Sequence, residues 1–216
     1  MENDQLLSNA RWEILRSVST GKTSATELAK NTKNSLPNIS QQLKLLEAYD
    51  LVEYIKDQKK GQGKPRQIYQ LKREICHITY ARHGLADKRL FNPDGYHIML
   101  LNILFLPSLQ DHAYIIKHLA QNDELTQQCA LAFLKSNETE IELLQVTENI
   151  EYIRNKYSNT FVDHNGKTRK IIAWSHTPKE ITDGLARKEP YFEALMHNPI
   201  PFHDPKTVIE KLKKKL

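Results

Sequence analysis

Apolar residues in the first third of the chain recur at helical spacing. Ile14, Leu15 and Val18 form one stripe of a helix predicted over about Asn9–Val18, with Trp12 nearby. Ser8 or Asn9 caps this helix and Gly21 stops it. Ser24-Ala25-Thr26-Glu27 reads as a capping box that opens a short second helix facing inward through Leu28 and Ala29. Ser35 caps a third helix, where Pro37 is tolerated because first-turn amides have no intrahelical partner. Ile39, Leu43 and Leu46 follow at i, i+4 and i+7 and predict its buried stripe. Leu51–Lys56 and Gln67–Leu71 are rich in strand formers and flank a basic, glycine-containing tip. Three helices and a two-stranded wing within about 75 residues predict a winged helix-turn-helix.

The pattern beyond residue 75 is less regular. Glu74–Asn92 reads as a linker, partly helical, within a region 76–128 expected to be a helical linker and candidate dimerisation segment. Tyr96–Leu106 and Ser108–Ala120 predict helices separated by Pro107. Within residues 129–216, Cys129–Leu134 and Glu140–Val146 predict strands, and Ile150–Tyr157 a helix. Phe161–Asp163 and Arg169–Trp174 predict a hairpin around Asn165-Gly166. Pro178–Ala186, Tyr191–His197 and Thr207–Leu216 predict further helices. The expected class is α+β: a winged domain over 1–75, then a C-terminal α/β domain with a regulatory or assembly role. Met99, Leu100, Ile103, Leu104, Leu106, Ile115, Ile116 and Leu119 offer apolar surface for either the core of that domain or a dimer seam.

Charge sharpens this division. Of the net +5, residues 1–73 carry all of it, with 13 Lys/Arg against 8 Asp/Glu, while the remainder holds 18 of each. Segregated positive charge implies an anionic partner for the first domain, and double-stranded DNA fits best. The third helix presents Asn38, Ser40, Gln41 and Lys44, residue types that meet base edges or phosphates in a major groove. Lys56–Arg73 holds seven basic residues against Asp57 alone. From this wing, Lys59, Lys60, Lys64 and Arg66 are the candidate contacts to the backbone or the minor groove. A protein-binding winged module is the competing reading, and the lysine-rich wing argues against it. The Lys211–Lys215 run reads as a solvated helix end or an added phosphate contact.

Two cysteines, Cys76 and Cys129, lie far apart and suggest buried reduced thiols. The acidic, polar N-terminus is unlike a secretory signal, and no apolar run approaches the roughly 18 residues of a membrane span. The expectation is a cytoplasmic protein that needs no membrane.

Ser40-Gln41-Gln42-Leu43-Lys44-Leu45-Leu46-Glu47-Ala48-Tyr49-Asp50-Leu51-Val52 resembles the recognition helix and turn of ArsR-like winged-helix regulators. Ser24–Lys30 resembles that family's second helix, and the resemblance covers about residues 8–73. It implies a transcriptional repressor, with activation the alternative mode; a single winged domain buries little interface and two-fold symmetry is the commonest assembly, so a homodimer is expected. Gln42 replaces a frequent histidine, and Asp50 replaces a glycine that supplies left-handed backbone. The family often senses metals through Cys or His on its helices, but residues 1–73 contain neither; no metal, cofactor or known effector is implied.

Residues 129–204 resemble the minimal nucleotidyltransferase fold, with Glu140-Ile141-Glu142-Leu143-Leu144 in place of its two-aspartate strand. Glu140 and Glu142 read first as the solvent face of an amphipathic strand. Ser136-Asn137 lacks the family's glycine, and Lys170–Ala173 lacks its third carboxylate, so the resemblance implies a degenerate relative without catalytic residues. The alternative is a nucleotidyltransferase that uses the winged domain to dock its substrate.

Overall fold

A computed structural model describes residues 9–57 and 66–215, and the chain divides into two compact units, Met1–Pro93 and Asp94–Leu216. In the first unit, helices α1 (Asn9–Ser19), α2 (Ala25–Asn31) and α3 (Leu36–Ala48) pack with strands β1 (Thr23–Ser24), β2 (Val52–Asp57) and β3 (Arg66–Leu71). The strands form an antiparallel sheet in the order β1-β3-β2. Its core is the predicted stripe of each helix: Ile14, Leu15 and Val18 of α1, Leu28 of α2, and Ile39, Leu43 and Leu46 of α3. Trp12 stands apart from this stripe, 53% exposed.

Local signals set the helix ends. The Ser24 hydroxyl accepts from the Glu27 amide, and the Glu27 carboxylate accepts from the Ser24 amide, completing the capping box. Ser35 caps α3 through the Asn38 amide, with Pro37 in the first turn. Asp50 adopts φ +60 just beyond α3, and the Leu51 and Asp50 amides bond back to the carbonyls of Leu46 and Glu47. This is the left-handed stop that glycine usually supplies.

The expected helical linker is not one element. Residues 76–91 form an antiparallel hairpin, β4 (Cys76–Arg82) and β5 (Leu85–Phe91). Its β-branched and aromatic residues, Ile78, Thr79 and Tyr80, together with a turn at Gly84 (φ +82), favour strand over helix. The rest of the supposed linker folds as helices α4 (Gly95–Leu104), α5 (Leu109–Gln121) and α6 (Glu124–Gln128), which belong to the second unit.

The second unit is a five-stranded mixed sheet between helical layers. It contains β6 (Ala130–Ser136), β7 (Glu140–Val146), β8 (Asn159–His164), β9 (Lys167–His176) and β10 (Ile200–His203), in the order β10-β6-β7-β9-β8. Only β7 and β9 run parallel. The β8–β9 hairpin turns at Asn165 (φ +50) and Gly166 (φ +74), the paired left-handed residues of a tight turn. Ile141, Leu143 and Ile171 face α4, α5 and α7 (Ile150–Tyr157). Leu144 and Val146 face α8 (Pro178–Ala186), α9 (Pro190–His197) and α10 (Val208–Lys213). Met99, Ile103, Leu106, Ile115 and Leu119 are therefore core residues of this unit, whereas Leu104 is 52% exposed.

One buried polar network crosses the first of these layers. Arg169 of β9 ion-pairs with Asp111 of α5, which also accepts from the Ser136 hydroxyl. The same guanidinium lies 5.2 Å from the Tyr114 ring centroid and donates to the carbonyls of Asn137 and Glu140. The two charges are 7% and 1% exposed, so removing either partner would leave the other uncompensated inside the protein. Cys76 and Cys129 are buried free thiols, and burial pushes Cys129 up to about 11, holding it protonated. Among the described residues no helix is long and apolar enough to cross a membrane.

Candidate nucleic-acid interface

The buried stripe Ile39–Leu43–Leu46 leaves the opposite side of α3 to solvent. Gln41 and Lys44 lie there one turn apart, both exposed. Among the described residues neither enters a hydrogen bond or an ion pair, so an amide and an ammonium are free to meet a ligand. Ser40 is half-buried and donates its hydroxyl to the Leu36 carbonyl at 2.9 Å, which leaves its lone pairs outward.

Asn38 is placed differently. It sits on the flank of α3, donates to Asn34 at 3.2 Å and accepts from Gln42 at 3.4 Å. Gln42 in turn accepts from Arg11 Nε of α1 at 2.7 Å. The residue that replaces a frequent histidine thus tethers α3 to α1, a role that spacing within α3 does not announce.

The basic wing also splits into groups. Lys59, Lys60 and Lys64 lie outside the described residues. Arg66 opens β3, donates to the Ser24 hydroxyl and ion-pairs with Glu27 at 3.2 Å. The Ser24 backbone amide, its hydroxyl and the Arg66 charge hold the Glu27 carboxyl below the ordinary carboxylate range. Arg66 therefore fastens the wing to the capping box of α2 while remaining half-exposed. Lys72 bonds to Asp50, which raises the lysine and lowers the aspartate, and Arg73 donates to the Tyr49 carbonyl at 3.2 Å. Both cations complement the negative C-terminal end of α3. Part of the wing's charge is thus spent on holding α3 in place.

This arrangement of a capped short helix, a longer helix with a free polar face and an antiparallel wing can be compared with known families. Residues 8–54 match the family model described as bacterial regulatory protein, arsR family. The chain thus has an arsR-like helix-turn-helix region followed by a strand-rich second unit, and the match supports a DNA-binding transcriptional regulator. The match covers the three helices and the start of β2, well under half of the chain. No curated protein matches the chain.

Outside the arsR-type domain, Glu140 and Glu142 lie on β7 on the sheet face that bears α8–α10. The Glu142 carboxylate accepts from Trp174 Nε1 at 2.9 Å and pairs with Lys135 at 3.2 Å. In register on parallel β9, Lys170 stands opposite Glu140 and Ile172 opposite Glu142. The Asn137 side chain accepts from the amides of Thr139 and Glu140, both at 2.9 Å, so the turn before β7 spends these donors internally. A pair of catalytic metal ions does not fit this set: one carboxylate is already engaged and its neighbours across the ladder are a cation and an alkane. Among the described residues no cluster of three His, Cys, Asp or Glu side chains is poised for a metal.

Proposed function

We propose that the chain is a homodimeric, sequence-specific double-stranded DNA-binding repressor. In this reading the helix at 35–49 enters the major groove and the wing at 56–73 follows the backbone or minor groove. The carrying observation is the free, exposed pair Gln41–Lys44 on the side of α3 opposite its buried stripe. An amide reads adenine and an ammonium reads guanine or phosphate, and a helix of 13 residues fits the groove. Lys59, Lys60, Lys64 and Arg66 supply the general affinity, and Ser40 and Asn38 line the edge of the contact. The second unit assembles or regulates the dimer and does not transfer nucleotides. An effector that acts through it would change DNA affinity.

The test is selection of bound duplexes from a random pool, followed by titration of the recovered site. Binding should fall by roughly 10³–10⁵ between 50 and 200 mM salt, as expected when ~6–10 phosphates are neutralised. Half-sites should lie about 34–36 Å apart, one helical turn. Salt-independent binding, or no enrichment of any duplex, would overturn the reading.

A further inference from the structure

The β4–β5 ribbon is the one sheet of the described structure with two strands; its open end packs on the first core through Leu90, and the exposed remainder of a two-stranded ribbon is marginal in water. Its two edges differ. The outer strand β5 carries Asp87-Lys88-Arg89, charges of the kind that block edge-to-edge addition. β4 has one charge, Arg82 at its turn end, and its central run His77-Ile78-Thr79-Tyr80-Ala81 holds no acid, lysine or proline. Ile78 is 44% and Tyr80 47% exposed, on the same face of the ribbon. The centre of this edge is thus built of good strand formers and lacks the usual guards.

We propose that β4 is the dimerisation edge and that its occupant is β4 of a second copy, paired antiparallel about a two-fold axis at Thr79. The inference rests on the homodimer of the proposed function and assigns its interface. The two-residue turn closes on Arg82–Leu85, and residues of an antiparallel ladder alternate in bonding direction. His77, Thr79 and Ala81 consequently point their backbone N–H and C=O groups away from β5, toward a new neighbour. Centred on Thr79, the register sets Ile78 against the partner's Tyr80 and Tyr80 against the partner's Ile78. Both are aromatic–β-branched pairs, and Thr79 meets the partner's Thr79.

Charge fits the same register. Within each ribbon Ile78 pairs with Arg89 and Tyr80 with Asp87. A row across the four-stranded sheet then reads Arg89, Ile78, the partner's Tyr80, the partner's Asp87. The centre is apolar and the ends carry opposite charges. Because both outer strands are β5, their charges stop further addition, and the assembly closes at two copies rather than growing into a fibre.

The experiment is done on the full chain without DNA, so that its outcome is independent of the DNA reading. Light scattering should give twice the 25.1 kDa chain mass. In Thr79→Cys, the two new thiols lie on Cα atoms about 5.5 Å apart, and a short bismaleimide should convert most of the protein to a covalent dimer. Lys88→Cys on the guarded edge should stay uncross-linked, and the native cysteines are buried. Thr79→Pro removes only an outward N–H, so the hairpin tolerates it while the intermolecular ladder does not. This variant should run as a monomer with an unchanged circular dichroism spectrum. A dimer that leaves Thr79→Cys unlinked and survives Thr79→Pro overturns the ribbon interface alone. A monomeric wild type overturns both the interface and the homodimer.

Discussion

The outward face of α3 and the α8–α10 side of β7 both present polar side chains where a ligand is expected, and they differ in what those side chains already hold. On α3, Gln41 and Lys44 have no partner among the described residues. On β7, Glu142 is held by Trp174 and Lys135, and the adjoining turn has its amides bonded by Asn137. A polar residue is available to a ligand only when the fold has not already satisfied it, and this criterion separates the Gln41–Lys44 pair from Glu142, which look equally polar as text. The second unit applies the same principle in its interior, where Asp111, Arg169 and Ser136 form a buried network in which the Arg169 Nε is the atom left without a partner.

The sharpest way to break this comparison is to open the buried network. Asp111→Ala leaves Arg169 charged and buried, which should cost about 3–5 kcal/mol of stability. Urea denaturation would measure it, and Asp111→Leu combined with Arg169→Met should recover much of the loss. If the single variant loses less than the double, the pair is not the clasp of the second unit.

A second buried site, His118, answers to pH. Burial lowers His118 to about 4, from an ordinary value near 6.5. A depressed histidine is neutral in the folded protein, so the unfolded chain binds the extra proton between these values. Stability from the neutral ring is complete above about 6.5 and falls as pH drops toward 4, by of order 3 kcal/mol. His118→Gln should flatten the stability–pH curve in that window; a parallel curve would refute the assignment.

On the open side, Gln41→Ala or Lys44→Ala should cost roughly 1–3 kcal/mol on the selected site and less on random DNA. Gln42→Ala, whose amide is already bonded to Arg11 and Asn38, should change specificity less. Competition titrations with both duplexes test the difference, and equal losses at Gln41 and Gln42 would erase the distinction between free and engaged residues. The smallest effect belongs to the caps. Ser35→Ala should lower stability by about 1 kcal/mol through the lost α3 cap, read as a shift in denaturation midpoint.

Much of the first domain was legible in the sequence because its signals are local. Capping residues act within three positions, apolar stripes repeat every turn, and an exposed aspartate can occupy left-handed backbone just past a helix. For this reason the helix ends at Ser24, Ser35 and Asp50, the buried stripe of α3 and the positions of Gln41 and Lys44 follow from short windows of sequence. The charge excess of the first third is a property of composition and needs no fold at all.

Tertiary structure decided what lies beyond such windows. The link from Gln42 to Arg11 spans 31 positions and that from Arg66 to Ser24 spans 42, so no periodicity reveals that these side chains are engaged. The hairpin at 76–91 carries residues that suit strands but no apolar alternation, because beyond its open end it is exposed on both faces. Sheet order in the second unit places Lys170 beside Glu140, and only the parallel register of β7 and β9 makes them neighbours. Sequence specifies which groups a segment offers, since that depends on residue identity and helical or strand period. Which offers are taken up depends on distances between segments far apart in the chain, and these exist only once the chain has folded.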